Sequence, residues 1–298
     1  MTFYEQPLSF CCHDCWLYGI LSTPVQPSSR GVLIVVGGPQ YRVGSHRQFT
    51  LLARSLADND IPTLRFDYRG MGDSDGAIRT FETIEDDLKS AIDQFFINVP
   101  SLKEVLIWGL CDAASAALFY AHKDHRIAGL ILVNPWVRTE LGTAKVYLKH
   151  YYFSRLLQLD FWKKIVTGQF KFSNSFNFIA ELIRKLITKE PRATSTKEFL
   201  ATDLTTQSLQ QGCELASLPD RMLDGLRQFT GKIFVITSGN DLTAKEFLDL
   251  INGMPDWKQT LKSKQVTFAH LKNANHTFST REWRDQVAAW TAEWSKSW

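Results

Sequence analysis

The stretch "EVLIWGLCDAASAALFY" (104–120) constrains the fold of this 298-residue chain more than any other segment. An aliphatic run passes through Gly-Leu-Cys-Asp-Ala straight into an alanine-rich helical pattern. A strand can enter a helix this abruptly only through a sharp turn flanked by small residues, and Gly109 and Ala113 fill those places. Cys111 then stands at the C-terminal end of a strand, where open α/β sheets build their sites. It also stands at a helix N-terminus, an environment that favours a thiolate. The alternative is a small buried hydrophobe with no chemistry.

The flanking segments repeat the same alternation. "GVLIVVGG" (31–38), "IPTLRFDYRG" (61–70), "EVLIWG" (104–109), "AGLILVNP" (128–135), "GKIFVITSGND" (231–241) and "KQVTFAHLKNANH" (264–276) are strand-sized apolar runs. Helical patterns lie between most of them, such as 47–60 with Phe49, Leu52, Ala53 and Leu56 in phase and 81–99 with Ile84, Leu88, Ile92 and Phe95 on one face. Continuous apolar strands separated by helices predict an α/β fold, its mostly parallel sheet covered by helices on both faces. From 136 to 229 the strand signal stops and helical patterns take over. The expected organisation is a core of 1–135 and 230–298 with a helical cap inserted at 136–229.

A nucleophile needs a base, and the base needs an acid to orient it. Asp241 ends the strand "VITSGND". His276 lies in the loop after the last strand, a position that none of the other six histidines shares. The backbone N–H of Asp112, next to the nucleophile, is the expected oxyanion donor. Pro39 has no N–H to give, which leaves Gln40 as the second candidate. The Asp112 carboxylate could be a second acid in the site, though service to the first helical turn is the stronger expectation, and Asp73 and Asp75 are expected to be turn residues. Tyr41 and His46, in the loop that also holds Arg42, are candidate substrate contacts. The glycines of "VVGGPQ" match no phosphate-binding pattern.

Three further motifs complete a resemblance. "GGPQYRVGSHRQF" follows the early strand; "LRFDYRGMGDSDG" carries Asp67, Gly70, Gly72 and Ser74 in an Asp-x-x-Gly-x-Gly-x-Ser turn; and "GLCDA" holds the cysteine. Over essentially its whole length the chain resembles the α/β-hydrolase superfamily, whose catalytic residues follow in the order nucleophile, acid, histidine. Within it, the three motifs are most similar to the exosortase A system-associated hydrolase type 1 group, which accompanies bacterial exopolysaccharide and protein-sorting loci. The resemblance implies a Cys111–His276–Asp241 triad that hydrolyses an ester, thioester or lactone without metal or organic cofactor. An acyltransferase with the same triad, or a non-catalytic scaffold that keeps the fold, remains open. Cysteine for serine is shared with dienelactone-hydrolase-like members; Gly37, where many relatives have histidine, is a departure.

The insertion matches the superfamily's cap in position. Between Arg138 and Glu198 it has twelve Lys/Arg against five acids, while the whole chain is only +3. Such a surface suits an anionic or carrier-linked acyl substrate, or peripheral membrane contact. The plainer and favoured account packs its aromatics on the core and leaves the lysines solvated. Tyr152 and Trp162 are its candidate substrate contacts. A charge of +3 gives no argument for nucleic acid, and no apolar run reaches the ~20 residues of a membrane span. The first ten residues show no secretory pattern, and five cysteines cannot all pair, so the expected compartment is the cytoplasm. "CCHDC" (11–15) has ligand spacing but lacks a second half-site, so a hairpin turning at His13-Asp14 is expected there instead of a metal site.

Overall fold

The computed structural model describes residues 2–38, 40–137, 216–264 and 266–298. Eight strands run in sequence as β1 (Phe3–Cys12), β2 (Cys15–Pro24), β3 (Arg30–Val35), β4 (Thr63–Asp67), β5 (Glu104–Leu110), β6 (Ile127–Val133), β7 (Lys232–Asn240) and β8 (Thr267–Asn275). They form one sheet in the order β1-β2-β4-β3-β5-β6-β7-β8. β2 is antiparallel to both β1 and β4, and every other pairing is parallel.

Alternation along the central strands explains why they read as continuous apolar runs. In β3, Val32 and Ile34 enter one core while Leu33 and Val35 enter the other, because successive side chains leave opposite faces. Helices α1 (Gln48–Ala57) and α7 (Arg281–Lys296) cover the first face. Helices α2 (Glu85–Asn98), α3 (Asp112–Tyr120), α4 (Leu218–Gln228), α5 (Leu242–Gly253) and α6 (Pro255–Ser263) cover the second. α7 presents Val287, Ala288, Ala292 and Trp294 to the sheet, where Trp294 stacks on Phe234 of β7 at 5.5 Å.

One boundary differs from the sequence expectation. Residues 218–228, placed in the inserted cap by the lack of a strand signal, form α4 of the core. Met222, Leu223 and Leu226 are buried in the same core as α3. Gly225 crosses so close to α3 that a Cβ would lie 2.1 Å from the Leu118 carbonyl oxygen. Ser217 caps the helix, accepting from the Asp220 N–H, and Pro219 stands in its first turn. An amphipathic helix after a helical insertion has no local signal to say which body it joins. The expected cap helices at 138–215, with Tyr152 and Trp162, lie outside the described residues.

The "CCHDC" stretch turns as a hairpin, with Cys12 opposite Cys15. Among the described residues, no cluster of three or more His, Cys, Asp or Glu side chains is arranged to hold a metal ion. Among them too, no helix is long and apolar enough to cross a membrane.

Candidate active site

β5 delivers Cys111 to the rim of the sheet in a conformation that few residues adopt. Its backbone has φ 63° and ψ −124°, a sparsely populated region that costs on the order of 1–3 kcal/mol unless surrounding contacts hold it. Those contacts are present. The Cys111 N–H donates to the Val133 carbonyl at 2.9 Å, and the Cys111 carbonyl accepts from Ala114 and Trp136 N–H groups. The first turn of α3 then passes over Gly109, where a Cβ would lie 2.6 Å from the Ala113 carbonyl carbon. The small residues of the sequence motif are thus a packing requirement of the turn.

Asp241 closes β7 and caps α5, its carboxylate accepting from the Thr243 and Ala244 N–H groups at 3.2 Å each. The same carboxylate accepts from His276 Nδ1 at 2.9 Å. Cys111 lies close enough to bear on the charge of the same ring. Burial alone would push the imidazole down; the Asp241 hydrogen bond and the Asp241 and Cys111 charges outweigh it and push His276 up to about 10. The folded ring therefore holds its proton at neutral pH.

That proton has a measurable consequence for stability. The unfolded chain releases it near the ordinary histidine value of about 6.5, the folded chain near 10. His276 thus contributes stability that is complete below about 6.5 and lost as pH rises through about 10. Asp241→Asn keeps a capping oxygen for α5 but removes the charge. The gap in melting temperature between parent and variant is expected to be widest at about pH 6 and to close toward pH 10; a gap that widens with pH contradicts this account.

Asn134, which the sequence reading passed over, ties these parts together. It is fully buried and follows β6 with φ 43°. Its amide donates to Ser238 Oγ at 2.7 Å and to the His276 carbonyl at 3.0 Å, while its oxygen accepts from the Ser238 N–H at 2.8 Å. The only sequence signal was an asparagine at the end of an apolar strand, where turn residues are common.

On the other side of Cys111 lies the loop after β3. Gly37 packs on the turn around Cys111, with a Cβ there falling 2.3 Å from Asp112 Oδ1 and 2.5 Å from the Leu110 carbonyl oxygen. The Gly38 N–H donates to both Asp112 carboxylate oxygens, at 2.8 and 3.0 Å. Gln40 does not fit as a backbone oxyanion donor, because its N–H is engaged with the Gly38 carbonyl at 2.8 Å. Its side-chain oxygen accepts from the Ser45 N–H. The Asp112 carboxylate, expected chiefly to serve the helix, also bridges turn and loop. Burial pushes its pKa up, against the pull of the Gly38, Ala113 and Asp112 N–H groups and of His276.

Arg42 belongs to the scaffold of this loop. The fully buried Asp67 accepts from its N–H at 2.6 Å and pairs with its guanidinium. Gly72 is needed beside it, since a Cβ would come within 2.3 Å of Asp67 Oδ2. The Asp-x-x-Gly-x-Gly-x-Ser motif is thus a clamp on the loop, with Asp73 also pairing with Arg42. Tyr41 stands 46% exposed on the same loop, and His46 lies in a short 3-10 turn with φ 53°.

The strand order and the strained strand-to-helix turn at Cys111 are those of an α/β-hydrolase fold. The family model described as serine aminopeptidase, S33 matches residues 27–278, and the chain belongs to that family. Among solved structures, the esterase Pf2001 of Pyrococcus furiosus is 15% identical; the match covers 99% of this chain and 93% of that one, with a TM-score of 0.63. A dienelactone hydrolase from Anabaena variabilis is 13% identical over 100% of this chain and 99% of that one, with a TM-score of 0.58. No curated protein matches the chain.

Proposed function

We propose that Cys111, His276 and Asp241 act as nucleophile, acid/base and orienting carboxylate in the hydrolysis of an ester, thioester or lactone. The observation that carries this function is the 2.9 Å contact of the Asp241 carboxylate with His276 Nδ1, on a ring whose charge Cys111 also influences. The imidazolium steadies a thiolate, which attacks the carbonyl carbon; the C–S bond forms and the carbonyl π pair moves to oxygen. Collapse re-forms the carbonyl and breaks the bond to the leaving group, which takes the proton from His276. Water, deprotonated by His276, then attacks the acyl carbon; the C–S bond breaks, the acid is released and the thiolate–imidazolium pair is restored. Thiolate is a good leaving group, so the acyl-enzyme can pass its acyl group to an amine or alcohol as well as to water. The esterase and dienelactone hydrolase names among fold relatives are in keeping with such a carbonyl. The pattern of "GGPQYRVGSHRQF", "LRFDYRGMGDSDG" and "GLCDA" further supports placement in the exosortase A system-associated group.

p-Nitrophenyl acetate tests this directly. Mass analysis is expected to find an acetyl group on the Cys111 peptide that turns over in water and is absent in Cys111→Ala. Added hydroxylamine or alcohol then separates hydrolysis from transfer by the products formed. Acetate release without any adduct at Cys111 contradicts the proposal.

A further inference from the structure

The cysteines of "CCHDC" fall on two faces of the first hairpin. Phe10 pairs with Leu17, Cys11 with Trp16 and Cys12 with Cys15, across the turn at His13-Asp14. Side chains alternate along a strand, so Cys12 and Cys15 continue the row of Phe10 and Leu17, which enter the core shared with Leu88 and Ile92 of α2. Cys11 and Trp16 point the other way and are exposed. Opposed Cα atoms of an antiparallel pair stand about 4.5 or 5.5 Å apart, both inside the range of roughly 4.4–6.8 Å that a disulfide spans. The two sulfurs differ in access, Cys12 being buried and Cys15 half-buried. The turn between them is pinned from both sides. His13 Nε2 meets Asp86 of α2 at 2.9 Å. The Trp16 N–H donates to the Asp75 carboxylate, and the Asp75 N–H donates back to the Trp16 carbonyl.

We propose that Cys12 and Cys15 form a reversible redox site whose substrate is a small-molecule disulfide such as oxidised glutathione. The Cys15 thiolate attacks one sulfur of that disulfide; the S–S bond breaks, a mixed disulfide forms at Cys15 and the first thiolate leaves. Cys12, too buried to meet the oxidant itself, then gives up its proton and attacks the Cys15 sulfur from across the hairpin. The internal S–S bond forms and the second thiolate leaves. Both leaving groups take up the protons that the two cysteines release, so the pair loses two electrons and the small disulfide gains them. An excess of the small thiol runs the same steps backward. Cys11, on the opposite face, has no cysteine across from it and stops at the mixed disulfide. Neither Cys12 nor Cys15 belongs to the proposed triad.

Cys11→Ser leaves only these two thiols in the N-terminal tryptic peptide, which runs to Arg30. The folded variant is treated with oxidised glutathione, blocked with iodoacetamide in denaturant, and the peptide is weighed. The expected product carries neither glutathione nor an alkyl group and has lost two hydrogens; dithiothreitol restores both alkylatable thiols. With Cys12→Ser added, glutathione is expected to stay on Cys15. With Cys15→Ser added instead, Cys12 is expected to remain unmodified. The same titration in urea gives the baseline of an unstructured Cys-x-x-Cys. The folded hairpin is expected to close at a lower ratio of oxidised to reduced glutathione, because it already holds the two sulfurs on one face at a bridging separation. A folded chain that keeps glutathione on Cys15, leaves both thiols alkylatable, or needs the same or a higher ratio than in urea overturns the inference. If Cys12→Ser does not fold, the paired titrations of Cys11→Ser decide alone.

Discussion

Cys111→Ala is expected to lower kcat/KM for an activated aryl ester by about 10⁴–10⁶, the scale of nucleophile loss in a triad enzyme, or roughly 5–8 kcal/mol of transition-state stabilisation. The strained φ of 63° persists because the Val133 carbonyl, Ala114 and Trp136 fix the backbone on both sides of the turn. Alanine fits the same turn without new bulk, so folding is not the variable, and equal melting temperatures check that point. Cys111→Ser is expected to recover little. A serine hydroxyl must surrender its proton during attack, and it ionises far less readily than a thiol. Full activity in Cys111→Ala leaves the non-catalytic scaffold, or a reaction elsewhere in the chain, as the surviving account.

What the sequence revealed and what it hid follow from the range of the interactions involved. The parallel sheet was legible because strands buried on both faces must be apolar at consecutive positions, as in Val32–Val36. The strand-to-helix turn at Cys111 was legible because its backbone admits only small neighbours, and Gly109 and Ala113 lie within five residues of sequence. Asp241 and His276 could be nominated from their places after β7 and β8. Three features lacked a local cause. α4 is an amphipathic helix whose partner, α3, is about a hundred residues away. Asn134 acts through Ser238 and the His276 carbonyl, contacts that only folding creates. Asp112 does look like a helix-start carboxylate; its attachment to Gly38 depends on how closely Gly37 settles on the turn.

The second large effect is expected at His276. Replacing it by alanine should slow acetylation of Cys111 by about 10²–10⁴, the usual contribution of a positioned acid/base, and should slow alkylation by iodoacetamide as well. The two reactions share only the nucleophile, so a common loss means that the thiolate itself has lost its partner. Asp241→Asn should act in the same direction but less, because Asn can still accept from the α5 N–H groups and hold the turn while no longer offering a charge to Nδ1. The order Ala at 276 below Asn at 241 below parent follows from the chain of contacts: Asp241 reaches the sulfur only through the ring it orients. Added imidazole, able to enter the space the ring leaves, should restore part of the rate in His276→Ala and none in Cys111→Ala. If alkylation is untouched by His276→Ala while acetylation falls, the ring acts on the leaving group alone. The resting thiolate–imidazolium pair is then wrong: the thiol loses its proton to solvent without the ring's help, and His276 serves only as general acid to the leaving group.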